Sequence, residues 1–276
     1  MDVSELLKKE ALRRGLSPRT IKTYQVCLMK FLLKTSKEVL AVKKTDVHNY
    51  IDYLIEKGAS GSTINVYLNA IKFFYTQVLQ RNLLVNIKYS KTPKRLPEVL
   101  TKDEVNLLIE SIHNAKHRLL IKLLYSAGLR VSELVNLKIQ DLDFSSNIGW
   151  VRNGKGNKDR LFIIAQSISE ELQEFINNFN LDSHSRTSYI FTGQNQSHLS
   201  TRTIQEIIKT ARKKSKIGKN IHPHTLRHSF ATHLVQNRYD IGTIQNLLGH
   251  NSPKTTMIYV HMASPSLLNV RSPLDV

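Results

Sequence analysis

The run HPHTLRHSFATHL, His222 to Leu234, sets four histidines and an arginine in thirteen residues, a density of donors that asks what they act on. Metal binding is one answer. His224 and His228 stand one helical turn apart, the spacing of a zinc-binding helix, but that motif needs a glutamate beside its first histidine, and Thr225 occupies the place. There is no CxxC. Asp141 and Asp143 in KIQDLDF, the nearest carboxylate pair a magnesium nuclease would use, read as turn residues between a helix and a strand. The sequence has no GxSxG, and its single cysteine, Cys27, lies on an apolar helical face as packing and not as a nucleophile. No metal and no cofactor are therefore expected. A phosphodiester fits better. A guanidinium grips two phosphate oxygens at once, and an imidazole donates to a third or moves a proton. His224 and Arg227 form an HxxR pair that shares one face of a first helical turn if a helix starts near Pro223, where backbone amides also favour an anion.

Charge points the same way. The 276 residues hold 40 Lys and Arg against 22 Asp and Glu, a formal net charge of +18, which repels itself unless a polyanion is bound. Residues 1–97 carry 18 basic and 7 acidic side chains (net +11), and residues 98–276 carry 22 and 15 (net +7), so both halves are expected to meet phosphates. An anionic membrane surface would also attract this charge, but the basic residues are scattered over many segments and do not line one amphipathic helix. No membrane span is expected. The start, MDVSELLKKEALRRG, is charged where a signal peptide is apolar, and a cytoplasmic, nucleoid-associated protein is expected.

The length suits two cores, and 41% apolar residues suffice to build them. Ser17-Pro18 caps a helix bearing Ile21, Tyr24, Leu28, Phe31 and Leu32; Thr45 is expected to open a second, closed by Gly58, and Ser62 a third. Residues 1–88 thus read as a small helical DNA-binding domain. YSKTPKRLPEVL is aperiodic, with two prolines, so residues 89–97 read as an exposed basic linker whose Lys94 and Arg95 face DNA. Residues 98–276 form the second domain. Its signals are a capping box at Thr101–Glu104, a helix from about 116 to Ala127 stopped by Gly128, and strands 148–152 and 160–164 flanking NGKGNKD. Further helices are expected from Ser167 (with Glu170 as a second capping box), near Ser200, from about Pro223, and from Ile241 to Leu248 before Gly249. The expected fold class is mainly α with a small antiparallel β-sheet.

Five motifs recur in order: GLRVSEL (Gly128–Leu134), GKGNKDR (Gly154–Arg160), HPHTLRHSFATHL, LLGH (Leu247–His250) and TTMIYVH (Thr255–His261). Together they resemble the tyrosine recombinase (phage integrase) family, most closely its Xer type, over essentially the whole chain. The resemblance implies a SAM-like helical core-binding domain followed by an α+β catalytic domain. It also implies phosphate-binding arginines at Arg130 and Arg227, a hairpin lysine at Lys155, histidines at His224 and His250, and a nucleophile at Tyr259. Glu133 would support the site, although a surface ion pair three residues from Arg130 is the plain alternative. His228 and His233 match positions taken as structural, and His222 has no assigned role.

The chemistry of those residue types agrees. A phenol titrates near pH 10, so forming phenolate at pH 7 costs roughly 4 kcal/mol, which nearby Arg130, Arg227 and Lys155 would lower. The two arginines and His250 would hold the charge of a pentacoordinate transition state, Lys155 would protonate the departing 5′-oxygen, and His224 would accept the Tyr259 proton. Among ten tyrosines, Tyr50, Tyr67 and Tyr75 lie on apolar faces, Tyr239 is the nearby rival, and Tyr259 follows a Ser252-Pro253 helix start. A 3′-phosphotyrosyl bond keeps the energy of the broken diester, so rejoining needs no ATP, and no nucleotide-binding glycine loop is present. Lys158 at the hairpin, and Lys213 and Lys214 in KTARKKSKIGK, are expected to contact DNA, the latter two having a solvated helix end as their alternative. The apolar Leu267, Leu268 and Val270 suggest a C-terminal tail that docks on a neighbouring subunit. The resemblance implies double-stranded DNA as partner, a tetramer on two sites, and chromosome dimer resolution or integration and excision, with a DNA translocase or second recombinase as further partners. It leaves no room for an extra arm-binding domain. A type IB topoisomerase and a non-catalytic DNA-binding descendant are the rival functions.

Overall fold

The computed structural model describes residues 2–83, 89–90, 96–152, 154, 159–179, 187–193, 197–249 and 253–263. The chain divides into two compact units, Met1–Arg95 and Leu96–Val276.

The first unit is helical: α1 (Val3–Arg13), α2 (Pro18–Thr35), α3 (Lys44–Glu56) and α4 (Gly61–Lys72), the last running into a π-helical turn, Phe73–Val78. Ser17 caps α2 through its hydroxyl on the Thr20 amide, with Pro18 in the first turn. Two expected helix starts move. Helix α3 begins before Thr45, because Asp46 reaches back to the Lys43 amide (2.8 Å). Helix α4 begins before Ser62, because Ser60 takes the cap by accepting from the Thr63 amide (3.3 Å). The helices close over Leu7, Leu28, Phe31, Val47, Ile71, Phe74 and Tyr75, and Cys27 is buried.

In the second unit, α5 (Lys102–Glu110) and α6 (Ala115–Ser126) lead to the short α7 (Val131–Val135). A three-stranded antiparallel sheet follows: β1 (Leu142–Asp143), β2 (Ile148–Val151) and β3 (Arg160–Ile163), in that order, with Ile148 opposite Ile163 and Val151 opposite Arg160. Then come α8 (Gln166–Phe179), α9 (Thr201–Ser215), α10 (Pro223–Gln236), α11 (Ile241–Leu248) and α12 (Pro253–Ala263). The capping box at Thr101 and Glu104 forms as expected, whereas α8 starts one residue before Ser167, the Ile168 amide already bonding to the Ala165 carbonyl (3.0 Å). One large apolar core gathers α5, α6, α8, α9 and the sheet, and a smaller one joins Phe230, Ala231, Ile244 and Leu248 to Tyr259. Asp141, expected in a turn, ends a short 3-10 helix and accepts from the Lys138 amide, and Asp143 ends β1 and accepts from the Ser145 and Ser146 amides of the turn that follows. Among the described residues no helix is long and apolar enough to cross a membrane.

Candidate active site

Gly128 ends α6 at φ +57°, and a methyl group there would stand 2.3 Å from the Phe230 ring, so only glycine lets the chain turn this close to α10. The turn delivers Arg130 to the start of α7. There Glu133 closes a capping interaction, accepting from the Arg130 amide (2.7 Å) and from Arg130 Nη1 (2.6 Å). The GLRVSEL motif is thus a self-contained device that fixes an arginine on its own carboxylate.

Helix α10 starts with a reciprocal cap. His222 Nδ1 accepts from the Thr225 amide (3.2 Å) while Thr225 Oγ1 accepts from the His222 amide (3.2 Å). This gives His222 a role that its sequence context did not suggest. Pro223 occupies the first turn, His224 is exposed, and Arg227, one turn on, is 3% exposed. Arg227 Nη1 donates to the Gly128 carbonyl (2.6 Å) and Nη2 to that of Leu248; Glu133 Oε2 lies 3.7 Å from Nη1.

Glu133 is far from a surface ion pair. Its side chain is 6% exposed and faces three guanidinium groups, the third being Arg160 of β3, whose Nη2 donates to Oε2 at 2.7 Å. Burial alone would raise its pKa, but Arg160, then the Arg130 amide and guanidinium, then Arg227 hold it below the ordinary carboxylate value. Three cations on one carboxylate leave a local surplus of positive charge. Burial and the charge of Arg130 push the Arg227 pKa down to about 9, so it stays protonated at neutral pH.

Tyr259 comes in on α12, which packs against α10 and α11, with Thr256 and Tyr259 both buried. Its phenol oxygen lies 3.0 Å from His228 Nδ1, with the two rings 5.6 Å apart. The imidazole bonded to the phenol is therefore that of His228, expected to be structural, and not that of His224, expected to serve as base. His228 is mostly buried, and burial, then His224, His222 and Arg227, bring its pKa down to about 4. It is neutral at pH 7, able to accept at one ring nitrogen and donate at the other. The His224 pKa is lowered too, by desolvation first and then by His222, Arg227 and Arg130. Burial raises the Tyr259 pKa while Arg227 and Arg130 pull it down; burial prevails. His233 accepts or donates at Tyr125 Oη (2.7 Å) and holds α10 to α6.

Beside Arg130 opens a cleft of about 990 Å³, lined by Glu133, Lys138, Trp150, Arg152 and Tyr189 among others. Lys138 stands over the Tyr189 ring and Arg152 over that of Trp150. Neither position carries a sequence signal of its own: Lys138 is a single cation among apolar residues, and Arg152 ends a β-rich run beside the hairpin. Of the other expected residues, Lys213 and Lys214 are exposed in the last turn of α9. In the same basic run Lys219 is committed to Glu104 (2.5 Å), and Arg212 donates to Asn220 (3.2 Å) and Gly218 (3.3 Å). Lys94, Arg95, Lys155, Lys158, His250, the Ser252 cap, most of the linker and residues 264–276 lie outside the described residues.

The phage integrase family model matches residues 98–265, and the model for the phage integrase N-terminal SAM-like domain matches residues 5–84. The chain is 38% identical to tyrosine recombinase XerA of Pyrococcus furiosus, an alignment covering 92% of this chain and 87% of that protein. It is 32% identical to tyrosine recombinase XerD of Staphylococcus haemolyticus, over 96% and 95% of the two chains. Among solved structures it is similar to XerH site-specific recombinase bound to a palindromic difH substrate in a post-cleavage complex. That match has a TM-score of 0.75 at 26% identity, over 97% of this chain and 83% of the other. A crystal structure of XerA recombinase matches 97% of both chains at 32% identity, with a TM-score of 0.57. With both units matched in sequence and the arginine, histidine and tyrosine motifs on one set of packed helices, this chain belongs to the phage integrase family, the tyrosine recombinases of Xer type.

Proposed function

We propose that Tyr259 is the nucleophile of a site-specific DNA recombination reaction, attacking a scissile phosphate held by Arg130 and Arg227. The observation that carries this reading is the hydrogen bond between Tyr259 Oη and Nδ1 of neutral His228, in a cluster where Arg130 and Arg227 bear on the phenol. The phenol oxygen bonds to phosphorus as the bond to the 5′-oxygen breaks. The phenol proton passes to His228, and the leaving 5′-oxygen takes a proton from Lys155, the position the family motif supplies. The 3′-phosphotyrosyl ester then reacts with a 5′-hydroxyl of the partner strand, reversing each transfer and releasing the tyrosine.

The two pKa shifts constrain the order of events. With Tyr259 held above the ordinary phenol value by burial and His228 brought down to about 4, a preformed phenolate–imidazolium pair is strongly disfavoured. Proton transfer must therefore accompany formation of the P–O bond, when the arginines and phosphate share the developing charge. Tyr259 is 2% exposed, so α12 must shift when DNA enters.

Double-stranded DNA is the substrate, and four subunits pair two sites in the working complex. Lys94, Arg95, Lys158, Lys213 and Lys214 bear on phosphates, and residues 264–276 link neighbouring subunits. Chromosome dimer resolution at the nucleoid, or integration and excision, is the task such a chain performs. A plasmid with two copies of the target site tests the assignment. Exchange between the sites, unchanged by EDTA, is the expected result; relaxation of supercoils without exchange would instead indicate a topoisomerase.

A further inference from the structure

The last three carbonyls of the LLG turn are each held by a different arginine. Arg160 donates to Leu247, Arg227 to Leu248, and Arg130 Nη2 to Gly249 (3.3 Å). The C-terminal end of α11 carries the partial negative charge of its unpaired carbonyls, so it offers three adjacent acceptors in a fixed geometry. On their other side the same three guanidiniums converge on Glu133. One carboxylate and one helix end thus form a two-sided frame; all three cations lie in the family motifs, but the resemblance assigns a role to only two of them, Arg130 and Arg227. The third, Arg160, begins β3, and its side chain is 8% exposed.

Gly249 belongs to the same frame. It sits at φ +58°, and a methyl group on it would stand 2.6 Å from Arg160 Cδ, so the absence of a side chain admits Arg160 to the turn. A lysine would not substitute well, because a single ammonium lacks the planar fork that reaches Glu133 and the Leu247 carbonyl together.

We propose that Arg160 is a positioning residue for strand cleavage: by bridging Glu133 and the Leu247 carbonyl it locks the α11 end against α7, so that Arg130 and Arg227 meet the phosphate as a rigid pair. This rests on the recombinase reading above. Arg160 need touch neither phosphate nor phenol; it fixes what does. Its loss should leave DNA affinity nearly intact and slow the chemical step, since a loosened pair still attracts DNA but no longer presents one geometry to the transition state.

The test is single-turnover formation of the covalent protein–DNA adduct on a nicked suicide substrate, with DNA affinity measured in parallel. The full-length wild-type protein is compared with Arg160→Met, Arg160→Lys, Glu133→Gln and the Arg160→Met/Glu133→Gln double variant. Arg160→Met should cleave about 10- to 100-fold more slowly, a range set by the loss of one preorganising contact, while its DNA dissociation constant stays within about 2-fold. Arg160→Lys should fall between, and the double variant should be no slower than Glu133→Gln alone, since the two residues act as one unit. If Arg160→Met does not fold, Arg160→Lys carries the comparison. A wild-type rate in the variant that folds, a rate loss matched by an equal affinity loss, or additive effects in the double variant would each overturn the inference. No adduct from wild-type protein would overturn the assignment of Tyr259 and this inference with it, whereas a wild-type adduct formed at an undiminished variant rate overturns this inference alone.

Discussion

Tyr75 and Tyr259 are both buried tyrosines, one in each unit, and they meet opposite surroundings. Tyr75 lies in the apolar core of the first unit with its hydroxyl donating to the Val39 carbonyl (3.0 Å), and burial pushes its pKa up to about 12. Tyr259 is just as sequestered, yet its oxygen meets an imidazole and the field of two arginines. Burial alone makes a phenol inert. Burial beside a proton acceptor and surplus positive charge keeps a phenol protonated until a phosphate arrives.

The contrast breaks most sharply on removing the hydroxyls. Tyr259→Phe should abolish covalent adduct formation, by at least about 10⁴-fold given loss of the proposed nucleophile, at a stability cost of about 1 kcal/mol. Tyr75→Phe should leave adduct formation at the wild-type rate and cost about 1 kcal/mol of stability, the worth of one hydrogen bond. Equal cleavage defects in both would end the comparison.

Glu133→Gln should come next. It leaves three guanidiniums in a buried site with their shared carboxylate replaced by a neutral amide, a loss of about 3 kcal/mol or more in denaturant unfolding, together with cleavage slowed by about 100-fold or more. A surface ion pair, the simpler expectation, would give less than about 1 kcal/mol.

His228→Asn removes the imidazole, a basic group that Tyr75, bonded to the Val39 carbonyl, does not have. Adduct formation should slow by roughly 10²-fold, the usual contribution of a positioned base, while His224→Asn should affect it less. The reverse ranking in single-turnover assays would return the base role to His224.

The last effect is in stability against pH. His228 titrates at about 4 in the folded protein against about 6.5 when unfolded, so protonation favours the unfolded chain. Its contribution is complete above pH 6.5 and is lost as pH falls from 6.5 towards 4, by about 3 kcal/mol at most. His224 and His233, also lowered, act in the same direction. Denaturant unfolding of wild type and His228→Asn at pH 7.5 and 5 should show a shallower pH dependence in the variant; equal slopes would contradict the His228 environment.

Much of the fold was legible because its signals are local. Ser17-Pro18, the Thr101–Glu104 box, Ser200 as the cap of α9, and the run Ile241–Leu248 closed by Gly249 are readable within a few residues. Where several hydroxyl or carboxylate groups compete within two or three positions, as at Ser60 and Ser62 or Lys43 to Asp46, propensity does not rank them and the start shifts. At the site, the family motifs named residues one at a time, whereas the roles of His228 and Arg160 arise from convergence. No periodicity along the chain reveals that β3, α7 and the end of α11 meet on one carboxylate, and His228 faces Tyr259 only because α12 packs back on α10. His222, without a role in the sequence, turned out to be the cap that sets the register of the whole HxxR turn.

The most direct test is to trap the protein on a nicked suicide substrate, digest it, and identify the DNA-linked peptide by mass spectrometry. The account predicts one modified residue, Tyr259, with its phenol oxygen esterified to a 3′-phosphate. Modification of Tyr239 or any other side chain, or failure to form an adduct on a DNA site that the protein demonstrably binds, would contradict it.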